Sequence, residues 1–92
     1  MVYKKLSASD DDIFDGRPVR IHRILLAGGS DAASVIAYDD SAASGSTKDF
    51  CKLHTASANV ENDFSWGGDG ITVSYLSVVL TGTAVALYIY YS

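Results

Sequence analysis

The residues able to do covalent or metal chemistry are few: one thiol, Cys51, two imidazoles, His22 and His54, and an acidic run at Asp10, Asp11, Asp12 and Asp15. A thiol acts as a nucleophile when a base stands beside it. Cys51 and His54 are three residues apart in an alternating stretch, so they point to opposite faces of one strand and form no dyad. His22 and His54 can meet only across strands, where an aspartate would complete a partial transition-metal set; the commoner use of such histidines is as half-buried polar residues. A single cysteine excludes an intrachain disulfide and the zinc sites built on two or more thiolates.

The acidic run has the look of a calcium loop and fails as one. Counted from Asp10, position five is Phe14 and position twelve is Ile21, where an EF-hand needs an oxygen ligand and a bidentate glutamate. A solvated acidic loop remains, with Ca²⁺ held loosely by Asp10, Asp12 and Asp15 as the alternative. Gly28-Gly29-Ser30 lacks the Gly-Lys-Ser/Thr ending and the following helix of a phosphate loop, and Ala32 breaks the Gly-x-Ser-x-Gly elbow. No catalytic residue, metal site or cofactor is assigned, and the chain reads as non-enzymatic.

The side chains with most binding potential are aromatic. Trp66, with Phe64 and the glycine-rich Gly67-Gly68-Asp69-Gly70, offers a flat apolar plate beside carboxylates at Asp63 and Asp69, the outline of a sugar-stacking site. The competing role for a lone tryptophan in a small β domain is as core anchor. Near the C-terminus Val85, Leu87, Ile89 and Tyr91 alternate with Ala86, Tyr88 and Tyr90. One side of such a strand fills a core; the other carries a tyrosine ladder suited to a subunit interface, or to cross-strand pairs within the domain.

A small body has to hold these residues. Ninety-two residues at 9.8 kDa form one domain, 1–92, whose first 16 residues are expected to be a partly flexible acidic segment. Hydrophobic residues at 48% against 20% charged exclude a wholly disordered chain. A net charge of −4 argues against nucleic acid and against an anionic membrane surface. Residues 71–91 are uncharged for nearly the length of a membrane span, yet their β-branched residues, the Thr81-Gly82-Thr83 interruption and the missing basic flank predict strands. Two lysines near the start have no apolar run behind them, so no secretory signal is expected. With neither staple nor metal to brace it, a domain this size gains stability from oligomerisation.

Strand signals recur at short spacing with no helical repeat, and predict strands over residues 2–6, 19–27, 32–38, 48–56, 64–66, 71–80 and 84–91. Residues 28–31 and 81–83 read as hairpin turns joining their flanking strands, 59–62 as a further turn, 67–70 as a glycine turn, and 39–47 as a mobile loop. Two strands change phase midway. Val19 and Ile21 give way to Ile24 and Leu26, and Ile71, Val73 and Tyr75 give way to Leu76, Val78 and Leu80. A side-chain period of two cannot keep both sets on one face, so bulges or bends between packed sheets are expected. The predicted fold is an all-β, single-domain antiparallel β-sandwich, jelly-roll-like, with about seven or eight short strands.

The run Ile24-Leu25-Leu26-Ala27-Gly28-Gly29-Ser30-Asp31-Ala32-Ala33-Ser34-Val35, the later Cys51-Lys52-Leu53, and the ending Leu80-Thr81-Gly82-Thr83-Ala84 with Tyr88 to Tyr91 resemble small β-rich virion proteins of tailed bacteriophages, especially those of marine hosts. The resemblance covers most of the chain from Arg17 onward. It implies a structural subunit of a capsid or tail, such as a head-decoration or fibre-related protein, made in the host cytoplasm and located in the virion. It further implies a symmetric homo-oligomer, a trimer being favoured, docked on a larger capsid or tail protein, with no catalytic residues. The partner-binding residues expected are Tyr88, Tyr90, Trp66 and Phe64. A carbohydrate-binding module using Trp66 and its acidic neighbours is the second expectation.

Overall fold

A computed structural model describes residues 2–56 and 60–92. It is all-β, with eight strands: β1 (Val2–Leu6), β2 (Val19–Ala27), β3 (Ala33–Asp39), β4 (Asp49–Thr55), β5 (Glu61–Ser65), β6 (Ile71–Val73), β7 (Leu76–Thr81) and β8 (Ala86–Tyr91). They form two antiparallel sheets, as the sequence predicts. The first runs β1-β8-β2-β5, with β6 also on β2; the second runs β4-β3-β7. Residues 23–27 of β2 pair with β5 and residues 19–21 with β6, so two short strands share one neighbour.

The acidic segment lies along the outer edge of β7. Asp10 and Val78 exchange backbone hydrogen bonds of 3.2 and 2.9 Å, and the Ile13 amide donates to the Leu76 carbonyl at 2.8 Å. The second sheet therefore reads residues 10–13, β7, β3, β4. Phe14 follows as a wedge, buried at 4% exposure with its ring 4.6 Å from that of Tyr91. On the opposite side of the sandwich, the Asn62 side-chain amide Nδ2 donates to the His54 carbonyl at 3.1 Å and ties β5 to β4.

Alternation along the strands decides what is buried. Ile24, Leu26, Leu87 and Ile89 from the first sheet meet Val35, Cys51, Leu53 and Val78 from the second, while Lys52 and His54 on β4 face outward. The first predicted phase change is a bulge: between Ile21 and Arg23 the register of β2 against β8 shifts, so that Ile21 and Ile24 both point inward. The second is a change of sheet. Val73 ends β6 in one sheet and Leu76 begins β7 in the other, and at the crossing the Asp39 carboxylate accepts the Ser74 and Tyr75 amides at 3.0 and 2.9 Å.

The two expected hairpins are not hairpins. β2 and β3 lie in opposite sheets, as do β7 and β8. Residues 28–31 and 81–83 are crossovers packed on one another: the Ser30 amide donates to the Thr83 carbonyl at 3.0 Å, and the Thr83 amide to the Asp31 carboxylate at 2.9 Å. Gly29 is needed there for space rather than for a positive φ, since a Cβ would fall on the carbonyls of Thr83 and Ala84. Glycine, serine and aspartate suit a tight turn and a close crossover equally well, so local chemistry does not separate the two. Of the predicted 59–62 turn, Asn59 lies outside the described residues, and Glu61 and Asn62 belong to β5. The glycine turn at 67–70 is present, with Gly68 and Gly70 at φ 63° and 75°. Among the described residues no helix is long and apolar enough to cross a membrane.

Candidate functional site

The groups with covalent chemistry are kept apart. Cys51 faces the core, where burial pushes its thiol up and keeps it protonated. His54 points to solvent from the same strand, and His22 sits at the β2 bulge in the other sheet with Nε2 2.8 Å from the Ser92 hydroxyl. The aspartates of the acidic run serve the chain's own turns. Asp12 Oδ1 accepts the Gly16 amide at 2.6 Å, and Asp11 Oδ1 accepts the Ala43 amide at 3.1 Å. Among the described residues no group of three or more histidines, cysteines and acids is placed to hold a metal ion.

The tyrosine ladder lies on the outer face of the first sheet and is larger than β8 alone indicates. Register builds it in rows. Tyr3, Tyr90, Arg23 and Ser65 stand side by side across β1, β8, β2 and β5, and Lys5, Tyr88, Leu25 and Asp63 form the next row. Ala86, Ala27 and Glu61 continue the pattern. The Tyr3 ring is 5.9 Å from Tyr88 and 5.8 Å from Tyr90 and is 60% exposed. The Lys5 ammonium lies 5.7 Å from the Tyr88 ring centre and the Arg23 guanidinium 5.6 Å from that of Tyr90, distances at which a cation is drawn to the ring face. Arg23 also pairs with Asp63 at 2.8 Å. The face is thus cationic at its β1 edge and acidic at its β5 edge. Tyr3 and Lys5 were not legible as site residues: their alternation in β1 is visible, but only strand order brings them beside Tyr88 and Tyr90.

Phe64 and Trp66 form a separate surface. Phe64 pairs with Ile24 and so has the inward parity, yet at the sheet's edge it is 48% exposed. Its ring is 4.8 Å from that of Trp66, which is half-buried and reaches Phe50 at 5.9 Å. Phe50 shares the sequence parity of Lys52 and His54; a bulge in β4, where Ala37 opposes Cys51 and Tyr38 opposes Asp49, leaves it unpaired and turned toward Trp66. Trp66 packs against the core and backs the exposed Phe64 ring. Its acidic neighbours are engaged by arginines, Asp63 by Arg23 at 2.8 Å and Asp69 by Arg20 at 3.6 Å. Two open surface hollows, one of about 380 Å³ by Pro18, Arg20 and Thr72 and one of about 310 Å³ by Ser9 and Asp11, include none of these aromatics. Comparison with protein-family models, with curated proteins and with solved structures returned no match, so the reading of function rests on these surfaces.

Proposed function

We propose that this chain is a non-enzymatic structural protein that assembles with copies of itself, and, following the sequence resemblance, that it is a component of a tailed-phage virion docked on a larger capsid or tail protein. The observation that carries the reading is the outer face of the first sheet, where Tyr3, Tyr88 and Tyr90 lie together on one surface. Tyrosine is enriched at interfaces because it offers large area at low entropic cost and a hydroxyl for the wet rim. The open edge of β1 carries Lys4 and Lys5, charges that oppose strand-to-strand addition, so the face rather than the edge is left for association. The connectivity supports the same class. With residues 10–13 counted as a strand, the neighbours β1-β8-β2-β5 and 10–13-β7-β3-β4 follow the double Greek key of a jelly roll, an architecture used by capsid and lectin domains. That support is an analogy of fold.

Sedimentation equilibrium of the full chain between roughly 10 μM and 1 mM tests the proposal, a range that spans weak and stable interfaces. A mass above the monomer that falls when Tyr88 and Tyr90 are replaced by serine is expected. A monomer throughout overturns it.

The second reading is a carbohydrate-binding module, and the exposed Phe64 ring beside Trp66 favours it. Saturable quenching of Trp66 fluorescence by oligosaccharides, lost in Phe64→Ala, would establish that reading. Fluorescence unchanged across the titration would dismiss it.

A further inference from the structure

Resting on the assembly reading, we infer that two copies of this chain pair face to face through the outer surface of the first sheet, about a two-fold axis that runs parallel to the strands between β8 and β2. The argument is one of charge placement. Lys5 stands on β1 at one edge of the face, and Asp63 and Glu61 stand on β5 at the other, three strand spacings or roughly 14 Å away. Asp63 is already paired with Arg23, whereas Glu61 has no ion-pair partner among the described residues.

A two-fold contact is self-complementary, so whatever lies at one place on the face must suit what the rotation brings opposite it. Two in-plane axes keep the strands of the two copies aligned. One running across the strands sets β1 over β1 and β5 over β5, so the lysines of both copies share one edge and the β5 acids the other. One running along the strands sets β1 over β5. Lys5 of each copy then lies over Asp63 of the other with Glu61 two residues further along β5, Tyr88 lies over Leu25, and the exposed Tyr3 covers Ser65. Like charges brought together cost energy and opposite charges set the register, so the second axis is selected. Across four strands and about five residues the face measures roughly 19 by 17 Å, which places the contact in the small, weak class. Association weaker than that of a stable dimer is expected, suited to an assembly in which many such contacts act together.

Sedimentation equilibrium at low salt on the wild-type chain, Lys5→Glu, Glu61→Lys and the double variant tests the geometry. Both side chains are exposed on strand surfaces. Each single reversal is expected to weaken association roughly 3- to 10-fold, and the double reversal to recover part of that loss, since Asp63 still faces position 5. Self-association that is indifferent to both reversals, or singles that are not rescued by the double, overturns this geometry and leaves the assembly reading standing. A mass of three protomers does the same. A monomer at every concentration overturns both.

Discussion

Alanine at Gly29 tests whether the two crossovers are built as described. The added Cβ falls on the carbonyls of Thr83 and Ala84. Both are backbone, so no side-chain rotation relieves the clash and residues 83 and 84 must move away. That movement strains or breaks the Ser30 amide bond to the Thr83 carbonyl, at 3.0 Å, and the Thr83 amide bond to the Asp31 carboxylate, at 2.9 Å. Overpacking costs about 1–3 kcal/mol and each of two exposed hydrogen bonds about 1 kcal/mol, so a loss of roughly 3–5 kcal/mol is expected. For a domain of this size that lowers Tm by about 12 °C or more. The assay is urea unfolding followed by Trp66 fluorescence, with thermal unfolding alongside. Gly67→Ala is the matched control, since a Cβ there meets nothing within 4 Å, and its stability should equal or slightly exceed wild type. Gly29→Ala within about 0.5 kcal/mol of wild type would refute the close packing of the crossovers, because a surface substitution costs no more than that.

Phe14→Ala removes a ring buried between the acidic segment and Tyr91 and should cost about 3 kcal/mol in the same unfolding assay, whereas an untethered acidic loop would lose almost nothing. Ala84 holds φ 57° at an exposed position, so Ala84→Gly relieves left-handed strain and should raise stability by about 0.5 kcal/mol, net of the extra freedom glycine has when unfolded. The folded Cys51 thiol is held above its ordinary range by burial. Stability linked to it is therefore complete below the unfolded thiol's pKa of about 8.5 and is lost as pH rises past it. Chemical unfolding from pH 7 to 10 should show that alkaline decline in the wild type and a smaller one in Cys51→Ala, and native Cys51 should react with a thiol reagent only as the protein opens.

Much of the fold was legible in local pattern. The limits of β1 and β2 coincide with those expected from Val2, Leu6, Val19 and Ala27, and the inward Leu87 and Ile89 of β8, with Val85 just before it, follow directly from alternation. The change of phase at His22-Arg23 was also visible, because a period of two cannot be broken without a bulge or a bend; the second was expected between Tyr75 and Leu76, whereas the chain leaves the first sheet after Val73 and Tyr75 is exposed in the crossing. Which strands become neighbours was not visible. The Gly-Gly-Ser-Asp and Thr-Gly-Thr segments send the chain to the opposite sheet instead of back along the same one. Phe14 enters the core from a segment whose aspartates mark it as surface, and Phe50 leaves the face shared by Lys52 and His54 through a bulge in β4. The candidate surface divides in the same way: Tyr88 and Tyr90 share a parity that the sequence alone determines, but Tyr3, Lys5, Arg23 and Asp63 join them only through register. Side-chain alternation is a property of one strand and its own covalent geometry. The partner of each backbone N–H and C=O is chosen among all strands at once, by whichever arrangement buries both apolar faces together.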